Sequence, residues 1–283
     1  MIRYLRQPIE LKRALQAIWA FPFPKDLRRR LCREYVNLFV LGRVDKTRKT
    51  ASLAGMEMSY CSLETLKYLF YEIFMRQSYY FKAHREDPVI LDCGSNIGMA
   101  LVYFKCLYPK ARITAFEPQP SAFQCLEETI RRNNLADVTA HAKALANETG
   151  EIAFYTKDES PGSLLASRMK ERTSERCQMV PAAKLSDHMS GPVDFLKLDI
   201  EGGEQDVLVD LVESGKIQLI EQMVIEYHHH IVPEQDTMTA FLGMLESAGF
   251  GYQIEGKLQR PFRRGHFQDV CIYAYRKSAT RAA

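Results

Sequence analysis

The sequence predicts an α/β fold in which a mostly parallel, doubly wound sheet over residues 87–283 follows a helical N-terminal extension or cap over residues 1–86. Three observations predict it. After Asp87-Pro88, short strand-like runs alternate with stretches of helical apolar spacing. The first run, Val89-Ile90-Leu91, is wholly apolar, as in a strand covered on both faces. That run feeds a glycine-bearing turn, Asp92-Cys93-Gly94-Ser95-Asn96-Ile97-Gly98, which opens a helix. A chain of 283 residues suits one α/β domain with an extension, and its core needs no disulfide staples.

Taken in order, Leu11, Leu15, Ile18 and Trp19 recur at helical spacing until Pro22 and Pro24 stop the helix. A second helix is expected over 25–40, with Leu27, Leu31, Tyr35 and Leu38 on one stripe. Residues 50–60 read as a hairpin about Ala54-Gly55, and Ser62 opens a third helix bearing Leu66, Leu69, Phe70 and Phe74. Strand 89–91, helix 99–107, strand 112–116, helix 122–133 and strand 138–142 follow. Residues 147–190 read as loop-rich. Strand 195–198, helix 205–214, strand 223–226, helix 237–248 and strands near 252–255 and 270–275 complete the alternation, which implies right-handed crossovers.

Composition narrows the class. With 46% hydrophobic and 26% charged residues and a formal charge of +3, the chain is not disordered. Seven scattered cysteines, none in a C-x-x-C, fit neither a disulfide framework nor a zinc ribbon, so reduced thiols in a cytoplasmic protein are expected. Charges interrupt every apolar run in residues 1–21, so neither a signal peptide nor a membrane span is expected. Residues 1–50 carry +9 and 257–283 carry +6, against −12 for 51–256. Basic ends on an acidic body are read as solvated helix faces that dock on that body, in preference to an RNA or membrane contact.

The turn after the first core strand indicates a nucleotide pocket, since ligands of doubly wound sheets bind beyond the carboxyl ends of the strands. Gly94 lets the backbone approach a ligand, and Gly98 lets the helix pack near the strand. Dinucleotide enzymes place a glycine at the middle position, to clear a pyrophosphate, where this chain has Asn96. Asp92 is expected to direct an anion toward the turn, which suits a ligand with a cationic amino-acid end such as S-adenosylmethionine. Nineteen residues beyond Gly98, the second strand ends at Glu117-Pro118, where a carboxylate can accept both ribose hydroxyls. Ala144, just past the third strand beside Lys143, is placed near the adenine edge.

These residues carry a resemblance. Asp-Cys-Gly-Ser-Asn-Ile-Gly (92–98), Phe-Glu-Pro (116–118), Lys-Leu-Asp-Ile-Glu-Gly-Gly-Glu (197–204) and Ile-Glu-Tyr-His (225–228) together resemble the FkbM-type methyltransferases, over about residues 89–255. Cys93 and Ser95 stand where the family often has other small residues. The resemblance implies a Rossmann-like class I methyltransferase fold, S-adenosylmethionine as methyl donor, and O-methylation of a hydroxyl on a sugar-like or polyketide-like small molecule. The segment 158–165, with Ser160, Gly162 and Ser163, resembles a serine-containing stretch of the family beside the acceptor and reads as a lid.

An alcohol acceptor must lose a proton, which calls for a base or a metal. Asp199, Glu201, Glu204, Glu226 and His228 form the expected titratable set, with His228 the leading base because imidazole titrates near neutral pH. Asp199 is assigned to the cofactor's methionine end or the acceptor hydroxyl. Lys197, inside a buried strand, is expected to pair with a carboxylate and so orient the site. In the run His228-His229-His230 neighbours on an extended chain point opposite ways, so at most His228 and His230 could share an ion, and a metal-free site is expected. Tyr79-Tyr80-Phe81 reads as core aromatics with a possible substrate contact, and the N-terminal helices as a cap or a homodimer surface.

Rival readings differ in testable ways. An exocyclic-amine nucleic-acid methyltransferase would carry Asn/Asp-Pro-Pro-aromatic where this chain has Asp199-Ile200-Glu201-Gly202, and the acidic body repels phosphate, leaving RNA only to the basic ends. A nicotinamide dehydrogenase would need the glycine that Asn96 replaces. A catalytically silent cofactor-binding module would share the fold without the activity.

Overall fold

The computed structural model describes residues 2–40, 42–156, 176–232, 237–256 and 267–277. The elements are α1 (Ile2–Trp19), α2 (Lys25–Tyr35), β1 (Thr50–Leu53), β2 (Met56–Ser59), α3 (Leu63–Phe70), β3 (Val89–Cys93), α4 (Met99–Leu107), β4 (Arg112–Phe116), α5 (Pro120–Arg132), β5 (Val138–His141), β6 (Ala144–Leu145), β7 (Gly150–Thr156), β8 (Arg176–Ala183), β9 (Val193–Leu198), α6 (Glu204–Glu213), β10 (Ile220–His229), α7 (Met238–Ser247), β11 (Phe250–Gly256) and β12 (Gln268–Arg276).

Seven strands form the main sheet in the order β11-β12-β10-β9-β3-β4-β5. Neighbours from β10 to β5 pair in parallel, and β12 is antiparallel to both β10 and β11. Chain order reverses between β3 and β9, so the carboxyl ends of β3, β4 and β9 face one crevice at the switch point. This is a mostly parallel, Rossmann-like doubly wound sheet, as the sequence predicts.

Strand β3 lies inside the sheet between β9 and β4, and every residue after Val89 is buried. Helix α4 is buried from Met99 to Lys105, and the Lys105 ammonium escapes isolation by donating to the Ala111 carbonyl at 2.7 Å. One apolar cluster lies on the α4 side of the sheet and a second beneath α6 and α7. The N-terminal segment is part of the first: Phe21, Phe23, Leu66, Phe70 and Phe74 share it with Tyr103 and Phe104. Hairpin β1–β2 turns through Ala54 and Gly55, both at positive φ, and docks on α5 where Ser59 N–H donates to Thr129 Oγ1 at 3.1 Å. The third helix is capped as read, with Ser62 Oγ accepting from the Glu64 N–H at 3.2 Å.

Three departures from the sequence reading have physical causes. The helix expected over 25–40 ends regularly at Tyr35 and continues in wider π-type turns over Val36–Val40. The stretch read as loop contains β7 and β8, which with β6 form a separate three-stranded sheet. The short run 223–226 is the middle of a ten-residue strand, since Gln222 to His229 all pair with β12. The lid expected at 158–165 lies outside the described residues. Among the described residues no helix is long and apolar enough to cross a membrane.

Candidate active site

The turn after β3 is built by backbone geometry. Gly94 and Ser95 N–H both donate to the Phe116 carbonyl at the end of β4, at 3.0 and 2.9 Å. Gly94 has φ +84°, and a Cβ there would collide with the carbonyl oxygen of Asp199, so the glycine is required by the end of β9 crossing beside it. Gly98, at φ +89°, opens α4, and a Cβ there would press on Leu126 of α5; its small size serves a helix–helix contact and not the expected helix–strand one. Asn96 also takes positive φ, which its Oδ1 supports by accepting the Ile97 N–H at 2.8 Å.

Glu117 sits buried at the tip of β4. Its Oε2 accepts the Asn96 N–H and its Oε1 the Gln119 N–H, each at 2.8 Å. Burial raises its pKa to about 7, against the lowering effect of those two N–H groups. Each carboxylate oxygen keeps one unshared acceptor direction, so two vicinal hydroxyls are what the group can still take. The Asn96 N–H is committed to Glu117 and does not face a pyrophosphate.

A cleft runs over these strand ends. Gly94, Ser95, Asn96, Glu117 and Pro118 form one wall, and Lys197, Asp199, Ile200 and Glu201 form the wall at the end of β9. Lys143, Ala144 and Leu145 close the far end with Phe154 of β7. Of the residues expected at the cofactor, Asp92 and Gly98 are not on this surface. Asp92 is fully buried behind the turn and faces Lys197 Nζ at 3.5 Å, so it holds the lysine and does not meet a ligand's cationic end. That corrects the expectation for Asp92.

Lys197 is paired as its buried position requires, with Asp92 on one side and Asp199 Oδ2 at 3.6 Å on the other, and it donates to the Gly94 carbonyl at 2.7 Å. Burial disfavours the ammonium, but Asp199 and Asp92 outweigh it and raise its pKa. Tyr79 completes the pair: its hydroxyl donates to the same Asp199 Oδ2 at 3.0 Å, with its ring 5.1 Å from Lys197 Nζ. Phe81 packs in the core against Phe195, while Tyr80 is exposed.

The motif's last glutamate, Glu204, is a clamp. Buried at the start of α6, it accepts N–H groups from Ile200 at 3.2 Å and Gly202 at 3.0 Å, and its Oε1 lies 2.9 Å from His228 Nδ1. This fixes the loop in which Glu201 adopts φ +58°. His228 Nε2 meets Glu201 Oε2 at 3.2 Å. Burial opposes a charge on His228, yet Glu204 and Glu201 override it and hold the imidazole's pKa well above its ordinary value. Both ring nitrogens thus face carboxylates, so the ring is not the free base expected of it. Its ring is also not on the cleft surface. Glu226, two residues earlier on the same face of β10, is pushed up to about 8, first by burial and then by Asp199. His230 leaves the strand at φ +58° with its ring 3.8 Å from His229, so the run does not bring His228 and His230 together.

Glu226 lines a second cavity of about 690 Å³ that shares Tyr79, Asp199 and Glu201 with the cleft. Glu72, Glu255 and Asp269 add carboxylates to it, and Tyr68 and Tyr273 add aromatic faces. Its Arg76 is bound by Glu72 at 2.9 Å and Glu255 at 3.2 Å. Sequence reasoning missed Phe154, Arg76 and Asp269; of these only Asp269 carried a signal, in the strand that pairs it opposite His228.

The chain is similar to known methyltransferases. The model of the Methyltransferase FkbM domain matches residues 92–252. Methyltransferase 1 of Beauveria bassiana is 29% identical over 211 residues, covering 67% of this chain and 83% of that protein. The 2-O-methyltransferase NoeI of Sinorhizobium fredii is 30% identical over 210 residues, covering 62% and 83%. The crystal structure of Methyltransferase FkbM from Methylobacillus flagellatus KT superimposes with a TM-score of 0.46 at 18% identity, over 88% of this chain and 60% of that one. With more than half of its length matched by the family's own model, the chain belongs to the FkbM methyltransferase family.

Proposed function

We propose that this chain is an S-adenosylmethionine-dependent O-methyltransferase whose acceptor is a neutral hydroxyl compound, sugar-like or polyketide-like. The observation that carries the reading is the junction of two cavities at Tyr79, Asp199 and Glu201, one ending on Glu117 and the other lined by carboxylates and tyrosines. The cleft fits the nucleoside: Glu117 has two unshared acceptor directions for the ribose hydroxyls, while Leu145, Ala144 and Phe154 offer apolar contact for the base. Bound there, S-adenosylmethionine supplies a methyl group on sulfonium, and transfer to an acceptor oxygen leaves the bond's electron pair on sulfur.

The chain's own residues position and deprotonate. Asp199, held by Tyr79 and Lys197, sets a fixed negative charge where the cationic end enters. The acceptor occupies the second cavity, where carboxylates accept hydroxyl donors and tyrosine faces cover the ring. Its hydroxyl proton passes to the Glu201 carboxylate at the junction as the oxygen attacks. His228, set between Glu204 and Glu201, ties the loop before α6 to β10 and so holds that group in place. An acidic cavity whose arginine is already paired disfavours anionic acceptors, nucleic acid included. The name of the Sinorhizobium fredii relative, a 2-O-methyltransferase, favours oxygen as the acceptor atom. Transfer of labelled methyl from S-adenosylmethionine to neutral polyols, with hexuronic acids and RNA alongside, tests the reading. Labelling of the neutral polyols alone supports it, and labelling confined to RNA overturns it.

A further inference from the structure

One oxygen or nitrogen each from Asp199, Glu226 and His228 lie within 4.8 Å of one another. We infer that these three side chains form a divalent-cation site, of first-row transition-metal type, at the junction of the cofactor cleft and the acceptor cavity. Three features go beyond a gathering of acids. The set includes an imidazole whose Nδ1 is fixed by buried Glu204, leaving Nε2 turned toward Glu201 at 3.2 Å and Asp269 at 3.9 Å. A ligating histidine anchored through its other nitrogen by a carboxylate is the usual outer support of such sites. Asp199 is supported in the same manner: Tyr79 and Lys197 both approach Oδ2, so Oδ1 is the oxygen left for a ligand. Glu226 has no hydrogen bond or ion pair among the described residues, although Asp199, Glu201 and Asp269 all bear on it.

One nitrogen and two carboxylate oxygens leave open positions for water or an acceptor hydroxyl, the pattern of a catalytic and not a structural ion. The mixed ligand set favours manganese or zinc over magnesium. In this arrangement an acceptor hydroxyl on the ion has Glu201 beside it to take the proton, and the freed electron pair of the oxygen attacks the methyl carbon. The role in transfer rests on the proposed function; the binding site itself does not.

The test titrates chelator-treated full-length chain with Mn²⁺ alone, followed by electron paramagnetic resonance, without cofactor or acceptor. One Mn²⁺ per chain is expected. Glu226→Gln and His228→Gln should each weaken it at least about tenfold, and Glu204→Gln, which only supports His228, by about 10–100-fold. Glu255→Gln, in the same cavity but outside the three, should leave it unchanged. Folding of each variant is checked by circular dichroism, and Glu226→Gln, which retains the side chain's shape, is the decisive variant if a histidine variant unfolds. Absence of Mn²⁺ binding, or equal binding in Glu226→Gln and Glu255→Gln, overturns the site. Binding without any methyl transfer upholds the site and counts against the proposed function.

Discussion

Replacing Glu117 with Gln should weaken binding of S-adenosylhomocysteine, the demethylated donor, and abolish its pH dependence. The carboxylate accepts one backbone N–H on each oxygen and has one further direction on each for a ribose hydroxyl. Gln keeps the shape but loses the charge and turns one acceptor into a donor. Hydrogen bonds to a charged acceptor contribute about 1.5–3 kcal/mol each, so a loss of about 2–3 kcal/mol, or roughly 30–150-fold in Kd, follows. The pH dependence is the sharper part. Burial raises Glu117 to about 7, and the ionised form is the one that accepts both hydroxyls. As pH falls from 8 to 6 the ionised fraction drops about tenfold, and wild-type affinity should drop with it, since only the competent fraction binds. The variant has no such group and should show a flat profile. Calorimetric titrations at pH 6, 7 and 8 measure both. Equal affinities in the two proteins, or parallel pH profiles, refute the assignment of Glu117 to the ribose.

Three further outcomes follow. Tyr79→Phe removes the hydroxyl that orients Asp199 and should lower kcat about tenfold, about 1.4 kcal/mol of barrier, with cofactor Kd within about twofold; an unchanged kcat would contradict it. Gly94→Ala places a methyl group against the Asp199 carbonyl at positive φ, and should lower Tm by at least about 5 °C in differential scanning calorimetry, a smaller shift counting against the close crossing of β9. Glu226→Gln should stabilise the chelator-treated protein in a pH-dependent way. Glu226 is raised to about 8 when folded, so the folded chain retains a proton that the unfolded chain releases above about 4.5. Its stabilising effect is complete below pH 4.5 and is lost as pH rises through 8. The variant's advantage in Tm should therefore be negligible near pH 4.5 and grow as pH rises to about 8; an advantage independent of pH contradicts the raised value.

The central sheet was legible because burial on both faces leaves a direct mark. Val89-Ile90-Leu91 has no polar face to confuse the reading, the run to Phe116 alternates cleanly, and helix 99–107 is found at its expected bounds. Strands β7 and β8 left no such mark, since GEIAFYT and RCQMVPAA pair mainly with each other in a small side sheet. At the site, Gly94, Asn96, Glu117 and Asp199 were found because each lies at the end of a strand or in the turn beyond it, where topology alone converges. Tyr79 meets Asp199 across 120 positions, and nothing local in Tyr79-Tyr80-Phe81 distinguishes the aromatic that turns to the cleft from the one that enters the core. The setting of His228 was hidden for a related reason. An imidazole's ordinary pKa is a property of the residue, but its value here is set by two glutamates brought to it by the loop before α6.

The most direct test of the account is a crystal structure of the chain with S-adenosylhomocysteine. It should place the two ribose hydroxyls on Glu117 and the sulfur toward the Tyr79–Asp199–Glu201 junction, facing the acidic cavity. A nucleoside seated elsewhere, or one whose sulfur is walled off from that cavity, would contradict the account.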